Sequence, residues 1–318
     1  MKKTILVSMP VPGKAIGWLE ETGCEVVVLP ERRPRQEFET QFQRAYAAMT
    51  LLSDPIPAEL IAAAPQLKLI ANYAVGYNNI DLAECRKRKI LVTNTPDVLT
   101  DATADIALLL LLGTMRRAIP AADYLKAGSF DGWKPNLLMG RDLRGKNLGI
   151  IGMGRIGLAV ARRAEAFGMK PFYFSQSGRK PELPYPAVSF ETILRESDAI
   201  SLHVPLTPAT RHLIGEKELL MMKPDAVLIN TARGPVVDEN ALVRVLKKGH
   251  LLGVGMDVFE EEPKVHPGLW ECPNAFLVPH IGSATIETRS QMAELAAKSI
   301  LAVLVNQRPV HLVNPEVL

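Results

Sequence analysis

The sequence predicts an α/β protein built on two doubly wound parallel sheets, and three observations carry that expectation. Short apolar, β-type segments alternate with helix-like segments along most of the chain. Strands read this way when helices cover both faces of a parallel sheet. One such segment, in Leu148-Gly-Ile-Ile-Gly152-Met-Gly154-Arg-Ile-Gly157, runs at once into three spaced glycines and then into a helical pattern. The length, 318 residues, allows about two domains.

In the first series, strands are expected at residues 5–7, 26–29, 48–52, 67–71 and 90–92. Met1-Lys2-Lys3 leads directly into an apolar run at 4–8 that is too short for the core of a signal peptide, so it reads as a strand. Residues 101–117 are strongly helical, with Thr100 or Asp101 as the cap. The apolar run in that helix, 106–112, is far short of a membrane span. Gly128, Gly132, Pro135 and Gly140 then mark a long surface excursion. The second series has strands at 148–151, 171–174, 199–202, 226–229, 251–254 and 276–278, with a helix at 158–167 and a proline-bearing loop at 178–186. A last helix covers 286–305.

Composition excludes several classes. Hydrophobic residues at 47% and charged residues at 22% are ordinary for a globular protein, and a net charge of +3 gives no case for nucleic acid or membrane as a partner. Cys24, Cys85 and Cys272 are odd in number and widely spaced. Neither a disulfide framework nor a metal site is expected, and a reducing, cytoplasmic compartment fits.

Strand, glycine turn and helix together read as a dinucleotide-binding unit. Gly152 permits the tight turn, Gly154 lets backbone approach a pyrophosphate, and Gly157 lets the helix pack on the strand. The helix start at Arg155 and Ile156 offers N–H groups to phosphate. A site for NAD ends its second strand with Asp or Glu, which binds the ribose 2′-hydroxyl. Here the strand is followed by Ser175-Gln-Ser-Gly-Arg179-Lys180, with hydroxyls and two cations but no carboxylate. Such a set suits a 2′-phosphate, so NADP(H) is the preferred cofactor and NAD(H) the lesser one.

Three chemically complementary residues fall at later strand ends. The strand from 226 runs into Arg233, the next into Asp257 and the acidic run ending at Glu262, and the last into His280. A doubly wound sheet gathers its ligand groups at these ends.

The segments Asn72-Tyr-Ala-Val75-Gly76-Tyr-Asn-Asn-Ile-Asp81, the glycine turn, Leu202-His-Val-Pro-Leu-Thr207, Asn230-Thr-Ala-Arg-Gly234, Asp257-Val-Phe-Glu-Glu-Glu262-Pro263 and Pro279-His-Ile-Gly-Ser283 follow one another in a familiar order. In these the chain resembles the D-isomer-specific 2-hydroxyacid dehydrogenase family, most of all its glyoxylate and hydroxypyruvate reductases, down to Leu312-Val-Asn-Pro-Glu316. The resemblance implies two Rossmann-like domains. A cofactor domain, 99–286, would be inserted into a discontinuous flavodoxin-like substrate domain, 1–98 and 287–318. It also implies a homodimer formed through the cofactor domains.

The resemblance further implies roles. His280 is the acid/base paired with Glu262, and Arg233 binds the substrate's carboxylate and keto oxygen. The amides of Val75 and Gly76 hold the carboxylate, with Leu52 and Tyr73 lining the substrate pocket. Asp257 stands near the nicotinamide carboxamide and Thr103 near the cofactor phosphate. His203, Pro205, Thr210, Thr231, Ala232 and Gly282 complete the candidate cofactor contacts. One departure is Leu137, where some hydroxypyruvate-reducing relatives carry a second tryptophan after the one matched by Trp133.

The chemistry has its own reasons. Hydride addition to a 2-keto acid leaves negative charge on the carbonyl oxygen, which a protonated imidazole can neutralise. A carboxylate beside that imidazole favours its charged form, and a guanidinium grips a carboxylate through two bonds. The expected activity is NADPH-preferring reduction of glyoxylate, hydroxypyruvate or the larger 2-ketogluconate to D-2-hydroxy acids. The alternatives are an NAD-dependent D-lactate or phosphoglycerate-type dehydrogenase and, in another class, a nucleotide-sensing corepressor-like binding protein.

Overall fold

The computed structural model describes residues 2–178 and 182–318. The chain divides into two compact units, Met1–Leu99 with Ser283–Leu318, and Thr100–Gly282.

The first unit is built on five strands, β1 (Thr4–Val7), β2 (Glu25–Val28), β3 (Ala47–Leu51), β4 (Leu69–Tyr73) and β5 (Leu91–Thr93). All pair in parallel, in the order β2-β1-β3-β4-β5. This is the flavodoxin-like winding, which reverses between β1 and β3. Alternation along each strand gives the sheet two apolar faces. Ile5, Val7, Ala47, Met49, Leu69 and Ala71 pack with Ala293, Ala296, Ala297 and Ile300 of the helix Ile286–Leu304. Alanines spaced three and four apart form a flat stripe on that helix, so it lies close to the sheet. Leu6, Ala48, Ile70 and Val92 cover the opposite face with Phe38, Phe42, Leu60 and Ile61.

Among its described residues the second unit has six parallel strands, β6 (Asn147–Ile151), β7 (Lys170–Phe174), β8 (Ala199–Leu202), β9 (Val227–Asn230), β10 (Gly253–Met256) and β11 (Ala275–Leu277). Their order is β11-β10-β9-β8-β6-β7, so the winding reverses between β6 and β8. The helix Thr100–Met115 packs against β9, β10 and the helix Arg155–Ala166. It is buried on nearly every side, which explains why its sequence is apolar all round.

The expected cap of that helix is corrected. Thr100 is already helical and Asp101 lies in the first turn, where its carboxylate pairs with Arg163 at 2.9 Å. Negative charge there complements the helix dipole without capping. A second helix, Ala118–Lys126, follows Arg117, whose φ of 55° breaks the first. The excursion beyond it leaves Phe130, Trp133 and Met139 exposed. Among the described residues no helix is long and apolar enough to cross a membrane.

Candidate active site

Strand register brings the site together in the second unit. Ile151, Leu202, Asn230 and Met256 are successive register partners, and Phe174 is the partner of Ile151 on the other side. The residues one step further on are therefore neighbours along the carboxyl edge: Ser175, Gly152, His203, Thr231 and Asp257. The crevice of a doubly wound sheet opens where the winding reverses, here at Gly152 and His203.

The three glycines differ in what they allow. Gly152 has φ 99°, and a Cβ there would stand 2.6 Å from the carbonyl oxygen of His203. A Cβ on Gly157 would stand 2.3 Å from the Gly152 oxygen, so the helix could not pack as it does. A Cβ on Gly154 would meet nothing within 4 Å. That glycine faces open space, as a position approached by a ligand should. Gly154 also leaves the helix Arg155–Ala166 without a side-chain cap, so its N-terminus is suited to an anion.

Polar atoms along the edge fit a polar ligand. His203 Nδ1 and Thr231 Oγ1 are buried and take no partner among the described residues. Burial pushes the His203 pKa down to about 3, so its ring is neutral, with Nε2 2.8 Å from Ser201 Oγ. Thr210 closes the following loop by donating to the Pro205 carbonyl at 2.6 Å and accepting from Thr207 N at 2.8 Å. Asp257, 1% exposed, accepts from the N–H groups of Ile281 at 2.5 Å and Gly282 at 2.8 Å. Burial raises its pKa from 3.8 to about 6, against the pull of those amides and of His280. A Cβ on Gly282 would stand 2.9 Å from Asp257 Oδ2 and 3.4 Å from Thr103, which explains the glycine and places Thr103 beside this turn. Ser175 Oγ lies 2.8 Å from Ser177 Oγ, while Arg179 and Lys180 lie outside the described residues.

His280 and Glu262 meet directly, Nδ1 to Oε2 at 2.8 Å, each side chain 35% exposed and so still reachable. Glu262 Oε1 accepts from Phe259 N at 3.0 Å. Burial would raise the Glu262 pKa above its ordinary 4.5, but the bond and charge of His280, the Phe259 amide and Arg233 together hold it below. Burial lowers the Arg233 pKa, and the charge of Glu262 opposes that shift. The three groups thus form one electrostatic cluster.

Two local devices present them. Asn230, wholly buried, donates to the Arg233 carbonyl at 3.0 Å and accepts from Ala232 N at 3.0 Å, fixing the turn that bears Arg233. A Cβ on Gly234 would fall 1.9 Å from the carbonyl carbon and oxygen of Phe259, so only glycine lets this turn touch the loop that bears Glu262.

In the first unit, the candidate residues Val75 and Gly76 follow β4. Their carbonyls accept from Asn94 Nδ2 and Asn72 Nδ2, both at 2.8 Å, and their N–H groups take no partner among the described residues. Tyr73 donates its hydroxyl to the Arg289 carbonyl at 2.8 Å, and burial raises its pKa to about 12. Leu52 is half-buried just beyond β3. Asn72, Asn94 and Asn230 are not among the residues expected from sequence, although two of them stand inside the segments that carry the family resemblance. For Asn72 and Asn230 the available signal is an amide shortly before a glycine-bearing turn, where it supplies bonds the turn lacks, whereas Asn94 has no glycine near it in the sequence.

Edge, glycine turn and charged cluster put the second unit among the doubly wound nucleotide-binding domains of oxidoreductases. Residues 108–282 match the family model described as "D-isomer specific 2-hydroxyacid dehydrogenase, NAD binding domain". A glyoxylate reductase of Thermococcus litoralis is 49% identical, with 100% of this chain and 98% of the relative covered. A protein of Thermus thermophilus has a crystal structure that superposes with TM-score 0.93 at 46% identity, covering 98% of this chain and 99% of that one. An NADPH-dependent glyoxylate/hydroxypyruvate reductase of Sinorhizobium meliloti, solved with NADP and malonate, gives 0.88 at 34%, covering 98% and 97%. The chain belongs to the D-isomer specific 2-hydroxyacid dehydrogenase family and is an oxidoreductase.

Proposed function

We propose that the protein is an NADPH-preferring reductase of small 2-keto acids, glyoxylate and hydroxypyruvate foremost and 2-ketogluconate as a larger candidate, giving 2-hydroxy acids, of D configuration wherever C2 is chiral. The observation that carries the reading is the His280–Glu262 pair at 2.8 Å in a unit whose glycine turn leaves Gly154 facing open space. The glyoxylate reductase relatives support the substrate class.

The cofactor site is assigned to the turn Gly152–Gly157 with Ser175, His203, Thr231 and Asp257. A bound nicotinamide would supply the hydride. The residues of the chain do the rest. His280, its Nδ1 held by Glu262, presents Nε2 as the donor to the oxygen that becomes negative. Arg233 polarises that carbonyl and binds the carboxylate. The first unit is assigned the substrate, with the amides of Val75 and Gly76 as further carboxylate donors. Two copies are proposed to pair through the second unit, where Phe130, Trp133 and Met139 lie exposed, and light scattering of the purified protein tests this. Three unpaired cysteines fit a reducing, cytoplasmic setting.

Assay of a 2-keto acid panel with NADPH and with NADH tests the whole reading, which fails if no member is reduced. Glu262→Gln tests the pairing. The Glu262 carboxyl lies below its ordinary value, so its half of the ion pair is complete above pH 4.5 and is lost only as pH falls through the lowered value. Gln has no carboxylate to ionise, so reduction should be slower throughout in this variant, and the fall in rate on the acid side, as pH drops through the lowered Glu262 value, should be absent. A pH–rate profile superimposable on wild type would remove Glu262 from the mechanism.

The cofactor preference rests on the sequence after β7. Arg179→Ala should weaken NADPH binding by about one to two powers of ten, since a bond to a charged group contributes about 1.5–3 kcal/mol, and leave NADH nearly untouched. Ser175→Asp should reverse the preference by repelling the 2′-phosphate. Tighter binding of NADH than of NADPH by wild type defeats the argument.

A further inference from the structure

The turn after β3 is clamped from three sides by groups that the proposed reaction does not use. Asp54, 6% exposed, donates its N–H to the Leu51 carbonyl at 3.1 Å and accepts from Leu51 N through Oδ2 at 2.8 Å. Ser8, one residue beyond β1, donates its hydroxyl to the same Oδ2 and accepts from Arg33 Nη2. Arg33 Nη2 also donates to Asp54 Oδ1 at 2.8 Å. The Arg33 side chain is 9% exposed and lies over the Phe38 ring, 5.4 Å from its centroid. From a third direction, Asn79 Nδ2 donates to the carbonyls of Leu51 and Asp54, both at 3.0 Å. Within the turn, the clamp leaves Leu52 half-buried and Ser53 exposed.

Two arguments give this clamp a purpose beyond stability. A buried ion pair adds little net stability, because desolvation offsets most of the attraction, so what it mainly fixes is geometry. The turn also lies beside the β1–β3 reversal, where a doubly wound sheet opens its ligand crevice.

We propose that Ser8, Arg33 and Asp54 are specificity-positioning residues. By holding Leu52 and Ser53 in one place, they set discrimination between glyoxylate, whose carbonyl carbon carries a hydrogen beside the carboxylate, and 2-keto acids with a carbon substituent in place of that hydrogen. The proposal rests on the keto-acid reading and on Leu52 as a substrate contact. A rigid turn is pre-organised for the substituent, and a loosened one must be ordered again in every encounter. Glyoxylate has no substituent to meet it.

The test compares kcat/KM for glyoxylate and hydroxypyruvate in Arg33→Lys and Asp54→Asn. Lys keeps the charge but loses the planar donor head, and Asn keeps the shape but loses the charge. Each variant should lose about tenfold in kcat/KM for hydroxypyruvate while glyoxylate turnover and NADPH affinity stay as in wild type. Equal losses for both substrates would show that the clamp merely supports the fold, and no loss for either would show that the turn holds without it. Either result overturns the proposal. Melting temperature guards the comparison. Should Asp54→Asn fail to fold, Arg33→Lys, which keeps a positive charge at the buried position, decides alone. A wild type that reduces neither acid defeats the keto-acid reading itself.

Discussion

His280→Asn should lower the rate of keto-acid reduction by roughly two to four powers of ten, the usual contribution of a positioned general acid. Glu262 occupies Nδ1, and Nε2 takes no partner among the described residues, so the ring is oriented with one nitrogen to offer. Asparagine matches much of that shape but cannot carry a transferable proton near neutral pH. The substitution should also be quiet structurally. His280 has φ 50°, a conformation that Asn tolerates better than most residues, and its N–H bond to the Asp257 carbonyl at 2.8 Å belongs to the backbone. Melting temperature and cofactor affinity are therefore expected to hold while turnover collapses. Near-normal turnover at neutral pH would mean that another group supplies the proton.

Gly234→Ala should be severe in both stability and rate. The added methyl would stand 1.9 Å from the Phe259 carbonyl carbon and oxygen and 2.4 Å from Glu260 N, all backbone atoms that no rotamer change can clear. Relief requires moving either the turn that bears Arg233 or the loop that bears Glu262. Overpacking of this kind costs about 1–3 kcal/mol, and displacing a reacting group by about 1 Å costs on the order of a hundredfold in rate. A lower melting temperature with a rate loss of at least that size is expected from thermal unfolding and steady-state kinetics. Wild-type values for both would show that the loop at Phe259 yields freely.

Much of this site can be read from the sequence because its signals are local. An apolar run, three glycines and a helix sit within about twenty residues, and Arg233, Asp257 and His280 each follow a strand by a few residues at most. Their convergence follows from parallel register, since strands in register place their next residues side by side. What local reading misses is long-range or non-periodic. Asn72, Asn94 and Asn230 act by satisfying carbonyls in turns, a role without period. Arg33 and Asp54 are 21 residues apart and meet only because β2 and β3 flank β1. The start of the helix at Thr100 differs from expectation because Thr and Asp both cap well, whereas here Asp101 serves Arg163.

The helix Ile286–Leu304 has a consequence for synthesis. The first unit's sheet is complete by Thr93, yet one of its apolar faces is covered by alanines and isoleucine that the ribosome delivers some two hundred residues later. The intervening segment, Thr100–Gly282, is continuous and can fold as soon as it emerges. Nascent chains should therefore pass through a stage in which the later unit is folded while Ile5, Val7, Met49 and Leu69 of the earlier one still face solvent. That interval is when the protein is most exposed to aggregation, and chains released before residue 304 remain caught in it.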